Sequence, residues 1–573
     1  MTFRKSSSDV QMLLTGYYYQ LPEHKRKKMD ESEEAAFYEK IVARINEEPF
    51  GELYCQDNGA PNKPIRQMIG AYILMHYKNW STRELFDHIN FNLLTMRALG
   101  IVDYEESPFC RATFFNFLSR LADYYVKTGE NLLEQVFDHL TAREMEELGI
   151  KGKTQRTDSF QAISNIVSYT RVRLLVEILL RLHRVLPESD KKRFAQLFGS
   201  YVEQDASSYV HKLHHSDVPK ELEQLGETYY KLHKALKENY GELEVFQLFE
   251  RALEEQFTCA GEKVKVRPGK DIPSDSLQSP DDPEATYRNK NGKKSRGQVV
   301  SVTETADPED EVNLLTDVVV APNNKDDADI HKERVGKIKE KTPEIEENHT
   351  DGGYGSGDVD EKMEKHEVKQ VVTGIRGRES EVEMDIEEEG ETYRVSCPNQ
   401  SAVAKMARKR WKASFDPGTC EECAVSETCP AQQLNSGRAF YFDRKDFLAR
   451  RRNKSLQNIP EERRKIRPNV EATLREFYGG FTHTGKLPYR GRFRTEVFAF
   501  CTAIGINFGR VVRHMEKKHR QEEVRAGNLS PMSATAIRKM LNYTFSHLKK
   551  FPDGIKKFCW SFFTQNERLL SAA

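Results

Sequence analysis

Strand-forming sequence is scarce in this chain and comes late. Gln298 to Thr305 alternates apolar and polar positions and Val312 to Ala321 is a β-branched run, whereas helical spacing of apolar residues dominates the chain up to residue 258. Strands so few and so scattered do not fold apart from helices. The pattern points to an α+β core interrupted by insertions rather than to a string of independent domains. The 573 residues are also more than one compact core accommodates.

The helical parts have their own punctuation. Apolar residues recur at three and four in Ile65 to Tyr77 and in Phe114 to Val136, and Ser81-Thr82-Arg83-Glu84 reads as a capping box that starts a helix near Thr82. Ser107-Pro108 marks a further start ahead of the aromatic run Phe109 to Phe117. Short helices with tight connections fit a helix-turn-helix and a purely packing bundle equally well. In a second block, residues 171 to 258, Pro187, Pro219 and Gly241 are natural breaks. Its most apolar stretch, Val172 to Leu186, is broken by Arg173, Glu177, Arg181 and Arg184, as in a buried amphipathic helix rather than a membrane span. Met1 to Gln20 has no charged leader with an apolar core, so a cytoplasmic protein without a membrane partner is expected.

Charge is unevenly spread. The formal net charge is -1, yet Tyr441 to Arg520 holds 20 Lys/Arg against 8 Asp/Glu, while Glu344 to Glu391 is dominated by acids. Lys405, Arg408, Lys409, Arg410 and Trp411, then Arg450-Arg451-Arg452 and Arg463-Arg464-Lys465, form a basic stretch of the kind that neutralises DNA phosphates. Within and beyond it, Arg464, Lys465, Arg467, Arg475 and Arg490 are the expected DNA contacts.

Of nine cysteines, Cys55, Cys110, Cys259, Cys501 and Cys559 stand far apart, as reduced core thiols do. Cys397, Cys420, Cys423 and Cys429 cluster with C-x22-C-x2-C-x5-C spacing. A C-x2-C turn lets two thiolates share one tetrahedral Zn²⁺, so the cluster reads either as a closed structural zinc site or as four reduced thiols.

Two-metal phosphoryl chemistry needs carboxylates that meet in space, because hard Mg²⁺ prefers oxygen ligands and a pair of ions can stabilise both the attacking and the leaving oxygen. With 89 acidic residues, context has to select them. Asp158 sits in Arg156-Thr157-Asp158-Ser159; Asp351 opens Asp351-Gly352-Gly353-Tyr354, where glycines permit a tight turn; Glu471 lies early in a helix opened by Pro468 and closed by Gly479-Gly480. Asp317, Asp326, Asp327 and Glu496 compete, Glu496 more as a helix-positioning residue. The segments leading to the two Asp residues, Lys153 to Thr157 and Glu346 to Thr350, are polar.

Further landmarks stand in order along the chain: Pro64 to Gly100 with Trp80-Ser81-Thr82-Arg83-Glu84-Leu85, Ser279-Pro280-Asp281-Asp282-Pro283-Glu284-Ala285 with Tyr287, Val470-Glu471-Ala472-Thr473, and Tyr489-Arg490-Gly491. Together with the acids and the cysteines, this order resembles the DDE transposases of bacterial insertion sequences, most of all the insertion-sequence 1182 family, over nearly the whole chain. The resemblance implies an RNase H-like catalytic core in which Asp158, Asp351 and Glu471 are catalytic residues that hold Mg²⁺ or Mn²⁺, with Arg467 as a DNA or phosphate contact. It implies metal-dependent DNA strand cleavage and strand transfer, with the element's terminal repeats and target DNA as partners. A homo-oligomer follows, because two element ends must be joined, and so does a nucleoid-associated place in the cytoplasm. The alternative is a catalytically inactive DNA-binding protein derived from a transposase.

The expected organisation is a helical N-terminal domain over 1–150, a candidate for DNA binding, a first core segment over 151–170 and a helical insertion over 171–266. Core strands with the second Asp follow over 267–395, then a Cys-rich basic insertion over 396–455, and the third-acid helix with C-terminal helices over 456–573.

Overall fold

The computed structural model describes residues 1–6, 16–55, 59–102, 108–261, 263–290, 292–374, 382–435, 437–457, 459–460, 463 and 465–525. The chain divides into a unit of residues 1–510 and a unit of residues 511–573, of which the second is described only as helical residues 511–525. The fold is α+β, and the elements that position the site belong to the first unit.

The N-terminal part is helical. Helix Thr82–Phe91 begins where the capping box places it, with the Ser81 hydroxyl accepting from Glu84 N and the Glu84 carboxylate accepting from Ser81 N. The next start lies later than Ser107-Pro108 implies: helix Arg111–Thr128 has Cys110 as its N-cap, and Ser107 lies outside the described residues. Phe109 precedes that cap and its ring stacks on Phe114, the fourth helical residue, with centroids 6.0 Å apart. This hydrophobic staple fixes how the chain enters the helix, and in the sequence it looks like the helix itself.

A ten-residue strand, β1 (Thr154–Ile163), follows. Its first four residues, Thr154-Gln155-Arg156-Thr157, are polar and nevertheless buried. Periodicity misses such a strand, because what stabilises it is mutual hydrogen bonding rather than apolar alternation. Thr157 Oγ1 lies 2.8 Å from Thr303 Oγ1 and bonds the Asn348 side chain, and Gln155 Oε1 accepts from Thr316 at 3.2 Å.

Helices Arg171–Val185, Val218–Tyr240 and Glu244–Gln256 then form a block with its own core, in which Leu175, Leu179, Leu225, Tyr229, Phe246 and Phe249 are buried. Pro219 sits in the first turn of the second of these helices and so opens it rather than breaking the block. A hairpin, β2 (Phe257–Ala260) with β3 (Lys263–Val266), closes the block.

The chain re-enters the main sheet with β4 (Thr286–Lys290), β5 (Lys293–Thr305) and β6 (Leu315–Pro322), then β7 (Glu347–Thr350) and β8 (Lys369–Val372). The strand path is β4-β5-β1-β7-β8, with β6 also paired to β5. β5 lies antiparallel to β1, β4 and β6, whereas β7 is parallel to β1 and β8 parallel to β7. Helix Asp327–Lys341 leads from β6 to β7, and helix Gly357–Lys365 joins the parallel strands β7 and β8.

A second six-stranded sheet, antiparallel throughout, contains β9 (Asp385–Glu389), β10 (Thr392–Ser396), β11 (Ser401–Ala407), β12 (Arg410–Phe415), β13 (Gln432–Leu434) and β14 (Gly437–Phe442), in the order β13-β14-β12-β11-β10-β9. The cysteine-rich region is therefore part of a sheet with its own apolar core, built on Val395, Ala413, Phe440 and Phe442.

Helix Arg492–Arg525 carries the apolar stretch read from Val497 onward. It contains the one stretch, among the described residues, long and apolar enough to cross a membrane, and that stretch is 94% buried, as a core helix is. Asn507 is buried in it and fully engaged, its amide bonding Leu315 N, Leu315 O and Thr141 Oγ1.

Candidate active site

Three acids from distant parts of the chain surround one guanidinium. Asp158 lies in the middle of β1 and is 7% exposed. Its Oδ1 accepts from Ser159 N at 2.8 Å and its Oδ2 from Arg467 Nη2 at 2.8 Å. Burial pushes this carboxyl up to about 6, against the pull of Arg467 and the Ser159 N–H and with smaller repulsions from Asp351 and Asp327.

Asp351 immediately follows β7. Its Oδ1 accepts from Gly353 N at 2.8 Å, capping the turn Gly352–Tyr354, and its Oδ2 lies 3.8 Å from Arg467 Nη2. Glycine is needed in this turn: a Cβ on Gly352 would meet Gly374 O at 2.8 Å, and one on Gly353 would meet Asp351 Oδ1 at 2.9 Å. Glu471 stands in the first turn of helix Val470–Phe477, after the 3-10 turn opened with Pro468, and its Oε1 is 3.5 Å from Arg467 Nη1.

What holds the third-acid helix against β1 is a buried ionic hub that sequence reading missed. Arg156 and Asp158 are two apart on one strand and share a face. Arg156 Nε donates to Glu304 Oε1 at 2.7 Å, and its Nη1 donates to Ile466 O at 2.9 Å, next to Arg467. The same Glu304 carboxylate, 0% exposed, accepts from Thr473 Oγ1 at 2.8 Å and from Arg510 Nη1 at 2.7 Å. Thr473 is two residues past Glu471. The available signal was a charged residue inside an otherwise strand-forming run at 298–305.

The competing acids have other duties. On β6, burial would raise the Asp317 carboxyl, but Lys341 and Arg334 outweigh it and hold the group at about 2; Arg334 grips it with Nε at 2.7 Å and Nη2 at 2.8 Å. Asp326 is the N-cap of helix Asp327–Lys341. Asp327 accepts from Ser159 Oγ at 2.8 Å and lies 3.4 Å from Arg288. Glu496 sits within its helix rather than at the cap, and joins Tyr125, Asn131 and Arg492 at 3.0 Å each.

Among the expected DNA contacts, Arg464 lies outside the described residues. Lys465 and Arg475 are exposed, Arg475 one turn beyond Glu471. Arg467 belongs to the acid cluster, and Arg490 is engaged by Asn165 O at 2.9 Å and Asp281 at 3.8 Å. In the run 450–452, Arg450 donates to Met384 O, the exposed Arg451 pairs with Glu364 and Arg452 pairs with the buried Asp360, while Arg463 pairs with Glu347.

The four clustered cysteines line one small cavity beside the core of the second sheet, where Asn399 Nδ2 donates to Cys423 Sγ at 3.0 Å and Gln400 Nε2 to Cys420 Sγ at 3.3 Å. Among the described residues, no group of three His, Cys, Asp or Glu side chains is drawn close enough to hold a metal ion as they stand. In the acid cluster, the Arg467 guanidinium lies between the carboxylates.

Residues 22–120 match the family model described as Transposase domain (DUF772). Comparison with curated proteins and with solved structures gave no match. The matched segment is the N-terminal helical part, ahead of all three acids. It supports a transposase role for the chain.

Proposed function

We propose that the chain is a DDE transposase, whose main sheet is an RNase H-like core and whose catalytic residues are Asp158, Asp351 and Glu471. The single observation that carries this reading is the convergence of these acids, 193 and 120 residues apart in sequence, on the one guanidinium of Arg467. Strand order supports it: three antiparallel strands, β6, β5 and β1, are followed by two parallel ones, with the first two acids on or just after the adjacent parallel strands β1 and β7.

The donor set is three hard carboxylates, which suits Mg²⁺ or Mn²⁺ and not a softer ion. Such an ion, held by Asp158, Asp351 and Glu471, supplies an activated water and charge stabilisation for the leaving 3′ oxygen. Asp158 is oriented by its bond from Ser159 N and Asp351 by that from Gly353 N, so two of the three donors are held in position before anything binds. Arg467, freed from Asp158, is placed to hold a phosphate oxygen of the scissile strand by charge-assisted hydrogen bonds. The four cysteines supply a thiol donor set suited to structural Zn²⁺, which would close the loop 420–429 onto Cys397. Joining two element ends calls for a homo-oligomer.

The test is cleavage of the element's own terminal DNA in Mg²⁺ or Mn²⁺. A protein that binds these ends with steep salt dependence but never cleaves them would instead be a DNA-binding derivative of a transposase.

A further inference from the structure

Most cations of the second sheet and of the helix that follows it are neutralised internally: Arg394 by Glu389, Arg444 by Glu364 and Glu388, Arg451 by Glu364, Arg452 by Asp360 and Lys454 by Asp385. The β11–β12 hairpin is the exception. Lys405, Arg408, Lys409, Arg410 and Lys412 fall within eight residues at its tip, and among the described residues only Arg410 has a carboxylate partner, the exposed Asp446 at 3.0 Å. Lys405 and Lys412 are register partners, a cross-strand pairing of like charges that opposes the hairpin. Arg408 takes the turn with φ 60°, a left-handed conformation that glycine or asparagine adopts at lower cost. A hairpin selected for stability alone would carry neither feature. Met406 and Val403 are also exposed, at 58% and 46%, while Trp411, next to the turn, packs on Tyr393 and Lys412 lies over the Tyr441 ring.

We propose that this hairpin is a DNA-binding arm that lies along duplex DNA and neutralises backbone phosphates with Lys405, Arg408, Lys409 and Lys412. β11 and β12 are the central strands of this sheet, paired with β10 as far as Ala404 and with β14 from Trp411 onward, so only the end of the hairpin around residues 405–410 stands clear of flanking strands. Density of unpaired positive charge selects a polyanion, and the closely spaced phosphates of duplex DNA match it in charge. The inference rests on the transposase reading, since it takes DNA as the partner, but it names a surface remote in sequence from the acids and absent from the basic residues that pair inward.

The experiment titrates the full chain onto a 30-bp duplex of arbitrary sequence at several salt concentrations, because phosphate contacts are independent of sequence. Removing three contacts with Lys405→Gln, Arg408→Asn and Lys409→Gln together should make the slope of log K against log salt shallower by about 2.7, at about 0.9 per phosphate. Between 50 and 200 mM salt the parent should therefore lose about 40-fold more affinity than this variant. The charge-retaining triple Lys405→Arg, Arg408→Lys and Lys409→Arg should keep the parent slope. An unchanged slope in the neutral triple overturns the arm while leaving the transposase reading standing. A charge-retaining triple that behaves like the neutral one shows a structural effect and also overturns it. Loss of single-stranded DNA or RNA binding with duplex binding intact assigns the hairpin to a different partner. A parent that binds no DNA at all removes both the arm and the function on which it rests.

Discussion

Arg156 and Glu304 are register partners in β1 and β5, and their side chains meet in a buried ion pair of 2.7 Å that also receives Thr473 and Arg510. One carboxylate thus ties the strand of the first acid to the helix of the third. Glu304→Gln leaves the Arg156 guanidinium without its buried counter-charge and Arg510 with Glu476 alone. Breaking one side of such a pair costs about 3 to 5 kcal/mol. Urea unfolding followed by circular dichroism should show a large drop in midpoint, whereas Glu48→Gln, which breaks an exposed pair with Lys5, should change it very little. Equal effects of the two substitutions would remove the hub from the account.

A second expectation concerns pH. Glu144, 3% exposed in helix Leu132–Leu148, has its carboxyl pushed by burial up to about 8, with Lys40 and Arg44 pulling the other way. Because the folded value lies above the ordinary one of 4.5, the group binds its proton more tightly in the folded chain. Its contribution to stability is fully present below about 4.5 and is lost as pH rises through about 8. Glu144→Gln, which keeps the neutral shape, should therefore be more stable than the parent at pH 8 and no more stable at pH 4. A stabilisation that does not depend on pH would contradict this.

A divalent cation should stabilise the fold through the acid cluster. Magnesium at a hundred times its dissociation constant adds about 2.7 kcal/mol if it binds only the folded chain. Thermal unfolding of the parent should move upward with Mg²⁺, and Asp351→Asn should abolish most of the shift. An identical shift in that variant would place the ion elsewhere.

The cysteine cluster gives a separate reading. Protein purified without chelator should carry one zinc per chain, and Cys420→Ser with Cys423→Ser should lose it and loosen the sheet of residues 385–442, seen as faster amide exchange there. Metal analysis finding no zinc in folded parent protein would leave four reduced thiols beside an apolar core.

Much of the architecture was legible where hydrophobicity and capping carry it. The helix at Thr82, the apolar stretch from Val497 and the β-branched run that became β6 follow from periodicity and local chemistry. The strand β1 was not legible as a strand, because Gln155, Arg156 and Thr157 are buried for their hydrogen bonds and not for apolar surface. The engagement of Arg450, Arg451 and Arg452 within the protein was hidden for a related reason: a run of cations looks the same whether it meets phosphate or partners from distant parts of the chain. The three acids were named from motif context and a resemblance; Arg467 and Glu471 are local neighbours four residues apart, but the arrival of Asp158 and Asp351 beside them is a tertiary fact that no local pattern contains.

The central claim is tested most directly by incubating the full chain with its element's terminal DNA in Mg²⁺ or Mn²⁺ and following strand cleavage for the parent, Asp158→Ala, Asp351→Ala and Glu471→Ala. The account predicts cleavage by the parent, loss of at least about a thousandfold in each variant, as removal of a principal transition-state contact produces, and unchanged DNA binding in all four. Cleavage that survives any one of these substitutions, or a parent that binds the ends and leaves them intact, would contradict it.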